Sequence, residues 1–349
     1  MKNRNYTIEL FRFIFAINIM IFHYWLGGFS NSNYFRNGYI GVEFFFIVNG
    51  YFMAESAKNY KNSQVSVWIN NIDYIKKRIK GFIIPCIIVQ IFSFIMQHII
   101  LFKNSFSIKQ LIMDMLSFPF DILLLRQWGF CFKYYNGVTW YLSAMLVVML
   151  VCFPLLIKYK EKYTHYIAPI ITLSILGIFS HVDGRIDNTT AYWGIIYKST
   201  LRAFAIINLG VIINTICTKL LEIRIGKTQK NILLIIQGVS FFIPLYYSIA
   251  DIETNLQFEC LFFMSIGIAV SFFNILHFDI FNNIITKLGK MSLYIFISHY
   301  PIALYVMPYL KIRGGIGLAA YVIISIIFSL FVFFLDNRIK KLILIKCTK

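Results

Sequence analysis

"ELFRFIFAINIMIFHYW", residues 9–25, reads as a membrane span that has kept three ionisable side chains, Glu9, Arg12 and His23. A helix of this length, rising 1.5 Å per residue, crosses most of a hydrocarbon core about 30 Å thick. Ionisable groups are costly at such depth, so each calls for a partner or a task. Arg12 and His23 stand 11 positions apart, which at about 100° per residue is three turns plus about 20°. They share one helix face, about 16 Å apart along the axis, with Arg12 near the end where the chain starts and His23 deeper. A fixed cation suits a phosphate-bearing ligand, and an imidazole suits proton transfer near neutral pH. The simpler alternative is that Arg12 snorkels and pairs with Glu9 at i,i+3, while His23 bonds a neighbouring helix.

The rest of the chain has the same texture. Of 349 residues, 59% are hydrophobic and only 14% charged, against roughly 25% charged in soluble domains. This predicts an all-α integral membrane protein. Ten apolar runs lie near residues 8–29, 39–55, 81–102, 138–157, 166–182, 195–217, 231–250, 257–276, 290–310 and 315–336. They leave no stretch for a sizeable soluble domain, so residues 1–349 are expected to form one polytopic membrane domain. The first run ends in bulky aromatics without a small-residue cleavage site, so it is expected to remain as helix 1.

The formal net charge of +18 sits in the segments between runs, where Lys and Arg serve topology and anionic lipid headgroups rather than nucleic acid. With the N-terminus inside, 22 of the 33 Lys and Arg fall on the cytoplasmic side. Eight fall outside: Arg36, Lys103, Lys109, Arg126, Lys133, Arg185, Lys311 and Arg313. Arg12, Lys198 and Arg202 lie within runs. The bias predicts about ten helices with both termini cytoplasmic, multi-pass in the inner (plasma) membrane.

The longest outer segment contains "SIKQLIMDMLSFPFDILLLRQWGF", interrupted by Asp114, Pro119 and Asp121, and is expected to be an interfacial or re-entrant element. The six cysteines, at 86, 131, 152, 217, 260 and 347, have neither disulfide nor metal-ligand spacing. No internal repeat argues for the inverted halves of many transporters.

"GYIGVEFFFIVNGYFMAES", residues 38–56, follows the first run after a short loop, and together the two resemble the start of the membrane-bound acyltransferase-3 family. That family carries Arg, ten residues, then His in its first helix, and Gly-Val-x-x-Phe-Phe-x-x-Ser-Gly in its second. Arg12 and His23 have the spacing, and Gly41, Val42, Phe45, Phe46 and Gly50 stand at the matching places, with Asn49 where the family has Ser. "KKRIKGFIIPCII" is similar to the family's basic run before a Pro, with Arg78 and Pro85 in place and Phe82 where a further Arg is often found. "WYLSAM" (140–145), "LRAFAIINLG" (201–210) and "GKMSLYIFISHYP" (289–301) resemble later motifs, so the likeness spans most of the chain.

The resemblance implies an O-acyltransferase that takes an acyl group, commonly acetyl from cytoplasmic acetyl-CoA, to a hydroxyl of an extracytoplasmic glycan or lipid-linked sugar. His23 would act as general base or as acyl carrier. Arg12 and the loop holding Lys76, Lys77, Arg78 and Lys80 would hold the CoA phosphates, although topology alone accounts for that basic loop. Neither a metal nor a resident cofactor is implied.

Glu43 is placed to orient or charge-stabilise His23, as a carboxylate orients a catalytic imidazole, to pair with Arg202, or to point into a wet outer vestibule. His299, about nine residues into its run, is expected about 13 Å from the inner surface. There Pro301 frees the carbonyl of Ile297, so His299 lines a cavity or bonds a neighbour in a kinked helix. Trp140 and Tyr141 belong to an aromatic belt or offer faces to a sugar, and Asn49 is a further pocket candidate. The alternative function is a secondary transporter or flippase for a polyprenyl-linked sugar, with Arg12, His23 and Glu43 as its relay. Asn49 and Phe82 leave a catalytically inactive relative as a third.

Overall fold

The computed structural model describes residues 4–30, 32–60, 65–104, 107–129, 134–187, 191–273 and 281–347. Cys131, Lys133 and residues 274–276 of the eighth run lie outside the described residues. The ten apolar runs become helices, joined by one amphipathic helix. In chain order these are α1 (Tyr6–Leu26), α2 (Gly41–Ala57), α3 (Val67–Asn104), the amphipathic α4 (Ile108–Ile122) and α5 (Thr139–Lys158). There follow α6 (Lys160–Asp183), α7 (Lys198–Leu220), α8 (Lys227–Ile249), α9 (Gln257–Ser271), α10 (Asn282–Leu310) and α11 (Gly314–Cys347). Among the described residues the sheet is one small hairpin, β1 (Tyr192–Trp193) with β2 (Ile196–Tyr197).

Eight of the helices are long and apolar enough to cross a membrane, and α2 and α9 are the shorter members of the ten. α2 tolerates its 17 residues, with Glu43 and Asn49 among them, because it runs inside the bundle and is prolonged by 3₁₀ turns at Gly38–Ile40 and Lys58–Tyr60. Phe44, Phe46 and Ile47 are fully buried there, so the helix meets protein rather than lipid. Outward faces elsewhere are apolar: Ile235, Phe242, Phe262 and Phe331 are all exposed, as a lipid-facing surface requires.

α2 packs most closely on α7, and α1 on α10. The α2–α7 approach is set by two glycines. A Cβ on Gly50 would overlap the carbonyl of Ile207, and one on Gly210 would overlap the carbonyl of Ile47. Backbones this close are the usual work of small residues between membrane helices. Gly50→Ala should therefore destabilise the protein by about 1–3 kcal/mol. Gly238→Ala on α8, whose Cβ meets nothing within 4 Å, should not. Thermal unfolding of the two variants in detergent checks this, and equal midpoints would dismiss the close approach.

One end of the bundle carries the start of α1, the first turns of α3 and the start of α10, and is called the basic end below. The other carries residues 27–30, 32–40, 184–187, 191–197 and 250–257, and is called the loop end. Two sequence expectations need correction here. α3 begins at Val67 rather than near 81, so Lys76, Lys77 and Arg78 lie on a helix and not in a loop. α10 begins at Asn282 rather than near 290, so His299 is 17 residues into it rather than nine, about 26 Å from its start. In both cases the polar first turns project beyond the apolar run and leave no apolar signal.

α4 is the amphipathic element expected between the third and fourth runs. Its acids face inward. Asp114 and Asp121 are buried, whereas Ile112, Met115, Leu116 and Phe120 are exposed. Gln90 of α3 donates to the Asp121 carbonyl (2.7 Å), the Tyr135 N–H donates to the Asp121 carboxylate (3.0 Å), and His98 pairs with Asp114 (3.2 Å).

Candidate active site

α1 is started by Asn5, whose side chain accepts from the Ile8 N–H (3.0 Å), and by Glu9 in its positively polarised first turn. Glu9 lies 3.6 Å from Arg12 and 3.7 Å from Arg4, which makes it the interfacial neighbour of Arg12. Arg12 also borders a cavity of ≈ 330 Å³ with Lys77 and Arg78 of α3, Asn49 of α2, Tyr141 of α5 and Phe296 of α10. Three cations thus converge at its basic-end mouth. Lys76 is exposed and does not line the cavity.

At the cavity's inner limit Phe45, Tyr141 and Phe296 form an aromatic cluster with ring centroids 5.3–6.3 Å apart. Asn49 donates to the Tyr141 hydroxyl (2.6 Å) and to the Phe45 carbonyl (3.0 Å). Tyr141 therefore keeps its own proton for the cavity. It does not belong to an aromatic belt. Tyr141 is buried, and Trp140 lies with its ring 5.5 Å from the guanidinium of Arg202.

One turn beyond Phe296, His299 meets His23. The His299 Nε2 is 3.1 Å from the His23 Nδ1, and the ring centroids are 4.8 Å apart. Backbone carbonyls fix both tautomers. Ile19 O lies 2.8 Å from the His23 Nδ1, and Ile295 O lies 2.9 Å from the His299 Nδ1. A carbonyl only accepts, so each Nδ1 carries a hydrogen. In the neutral rings the His299 Nε2 is then an acceptor, and the His23 Nδ1–H is shared between it and Ile19. The His23 Nε2 is left with a lone pair and no protein partner among the described residues. His23 borders a second, ≈ 210 Å³ pocket at the loop end, together with Leu26, Tyr300 and Leu304.

Pro301 acts as its sequence position suggests. The Ile297 carbonyl that it releases is taken by the Asn136 side chain (2.8 Å), and α10 continues through a π-helical turn at Ile302–Val306. The Tyr321 hydroxyl donates to the backbone oxygens of Met20 (3.1 Å) and His299 (3.3 Å), tying α1, α10 and α11 together behind the pair.

Glu43 does not orient His23. It is fully buried against Arg202, whose Nε lies 3.1 Å from the Glu43 Oε2 and whose Nη2 touches Oε1. This is the structural pair with Arg202 that the sequence left open as one alternative, and it sets Glu43 apart from the Arg12–His23 stripe. Such a buried pair is held by its bidentate hydrogen bonding, Nε and Nη2 each meeting one carboxylate oxygen, and the Trp140 face adds to it.

The sequence singled out His23 and His299 separately, but their pairing was hidden by the misplaced start of α10. Phe45 and Phe296 appeared only as motif positions and Tyr300 only within the stretch 289–301, because an aromatic in an apolar run carries no mark of its own. Among the described residues no three His, Cys, Asp or Glu come together as a metal site. A family model described as an acyltransferase domain matches residues 5–335. No curated protein and no solved structure matches the chain.

Proposed function

The chain belongs to the acyltransferase-3 family of membrane O-acyltransferases, and we propose that it carries acetyl from cytoplasmic acetyl-CoA to a hydroxyl of an extracytoplasmic glycan or lipid-linked sugar. The observation that carries this reading is the place of the histidine pair. On α10, Phe296 borders the basic-end cavity and Tyr300 the loop-end pocket, with His299 between them. On α1, Arg12 borders the first and His23 the second. Charge bias puts the basic end in the cytoplasm of a plasma membrane, so donor and acceptor approach the pair from opposite sides.

Arg12, Lys77 and Arg78 then bind the CoA phosphates, and the thioester reaches toward Phe45, Tyr141 and Phe296. The acceptor hydroxyl comes to the His23 Nε2 and loses its proton there as its oxygen attacks the thioester carbonyl. The carbon–sulfur bond breaks, and the proton on His23 passes to the departing CoA thiolate. The products are the ester and CoA. His299 is a positioning residue: it holds the His23 Nδ1–H and steadies the imidazolium while it lasts.

Labelled acetyl transfer from acetyl-CoA to surface glycan in membranes containing the protein tests the reading. No CoA-dependent transfer to any glycan would overturn it. Arg12→Ala should raise KM for acetyl-CoA about 10- to 100-fold with kcat changed less, since a hydrogen bond to a charged group is worth ~1.5–3 kcal/mol. Saturation curves in reconstituted vesicles measure this, and an unchanged KM in the folded variant would take Arg12 out of the donor site.

A further inference from the structure

A cavity of ≈ 380 Å³ opens at the loop end and is used by nothing described so far. Its residues come from three separate segments, around Trp25–Tyr39, Asp183–Asp187 and Tyr247–Gln257. Leu26 borders both this cleft and the pocket of His23, so the two are adjacent. One wall is aromatic: Phe22 stacks on Trp25 with centroids 6.1 Å apart and meets Tyr39 edge-on at 5.5 Å.

The opposite side is an ordered fan of polar groups. Gln257 is its hub, accepting from the Ile186 N–H (2.6 Å) and donating to the Tyr39 hydroxyl (2.8 Å) and the Asp187 carboxylate (3.2 Å). Arg185 grips both oxygens of Asp187 at 2.6 Å. Burial pushes the Asp187 carboxyl up, but the Arg185 bonds, the nearby Arg202 charge and Gln257 outweigh it, holding the group below the usual carboxylate range. Asp187 therefore stays an acceptor-only group at ordinary pH.

Each cation around the cleft is already matched. Arg36 lies 3.3 Å from Glu253 and 3.6 Å from Asp251, Arg185 holds Asp187, and Lys198 holds Asp183 at 2.6 Å. Four carboxylates thus face three cations. An aromatic face beside fixed carboxylate and amide groups suits a ring with one apolar side and a rim of hydroxyls. An anionic ring would find no spare cation and a surplus of like charge.

We infer that this loop-end cleft is the acceptor site and that it takes an uncharged sugar unit, stacked on Trp25 and hydrogen-bonded through its hydroxyls to Asp187 and Gln257. The inference rests on the acyl-transfer reading for what happens to the sugar, but not for its binding. Leu26 borders both the cleft that would hold the sugar and the pocket that His23 borders. The cleft was invisible in the sequence because its groups are drawn from loops up to about 230 positions apart.

The test uses the full chain in lipid nanodiscs and four probes: the methyl glycosides of glucose, galactose, N-acetylglucosamine and glucuronic acid. Saturation-transfer NMR should show binding of at least one uncharged glycoside and none of the glucuronide. Trp25→Ala and Asp187→Asn, at an unchanged unfolding midpoint, should weaken that binding tenfold or more, and Trp25→Phe should restore it. Preferred binding of the glucuronide, binding indifferent to both substitutions, or no binding of any uncharged probe would each overturn the inference. Labelled acetyl-CoA is then added. Sugar that binds but is never acetylated would count against the acyl-transfer reading and leave the cleft standing.

Discussion

Folded His23→Ala should transfer acetyl about 10²- to 10⁴-fold more slowly than the wild-type protein, with KM for acetyl-CoA little changed. A sugar hydroxyl is a weak nucleophile, and the His23 Nε2 is the basic lone pair that borders the loop-end pocket. Its neighbour makes the expectation sharper. His299 accepts from the His23 Nδ1 at 3.1 Å, the place a carboxylate takes in the familiar triads. His299→Ala removes that acceptor, whereas the side-chain oxygen of His299→Gln replaces it. The Ala variant should therefore lose more of kcat than the Gln variant, with donor KM the same in both. Initial rates of labelled acetyl transfer in vesicles measure all three variants. Undiminished kcat in folded His23→Ala would remove His23 from the chemistry, and equal losses in the two His299 variants would reduce His299 to packing.

Glu43→Ala and Arg202→Ala, taken singly, should each destabilise the protein by about 3–5 kcal/mol, because each leaves the other's charge buried and bare. Glu43 is 0% and Arg202 1% exposed, so water cannot take over the abandoned charge. The double variant Glu43→Leu with Arg202→Met exchanges the pair for apolar groups of similar bulk, and should recover most of the loss. It should also regain transfer activity, since Glu43 touches Arg202 and not His23. Unfolding midpoints in detergent, with transfer measured on the same samples, check both parts. Single variants as stable as the wild type would mean that the pair contributes little. A stable double variant without activity would return Glu43 to the chemistry.

Much of the architecture could be read from apolarity alone. What apolarity marks is the part of a helix that lies in lipid, and not the helix. The ten runs were therefore legible, while the polar first turns of α3 and α10, Val67–Lys80 and Asn282–Lys290, were not. That difference moved the basic residues from a loop to a helix and placed His299 about eight residues farther from the start of its helix. Arg12 and His23 were legible because a single helix fixes the relation of its own residues. Glu43 had two permissible partners, and only packing of α2 on α7 chose Arg202. Asn49 and Tyr141 were noticed separately, and their 2.6 Å hydrogen bond, like the cleft around Gln257, exists only between elements.

The aromatic cluster of Phe45, Tyr141 and Phe296 has an electrical consequence. Cavities from the two faces approach within a helical turn of each other, so nearly the whole membrane voltage falls across these rings and the two imidazoles. Each elementary charge that leaked through would dissipate ~2.3 kcal/mol per 100 mV. A septum of hydrocarbon rings opposes ions and CoA phosphates by their hydration, but an acetyl group carries no charge and meets no such barrier. On the proposed acetyl-transfer reading, the thin place in the bundle separates cargo from carrier by charge, passing the group to be transferred while the cell stays insulated.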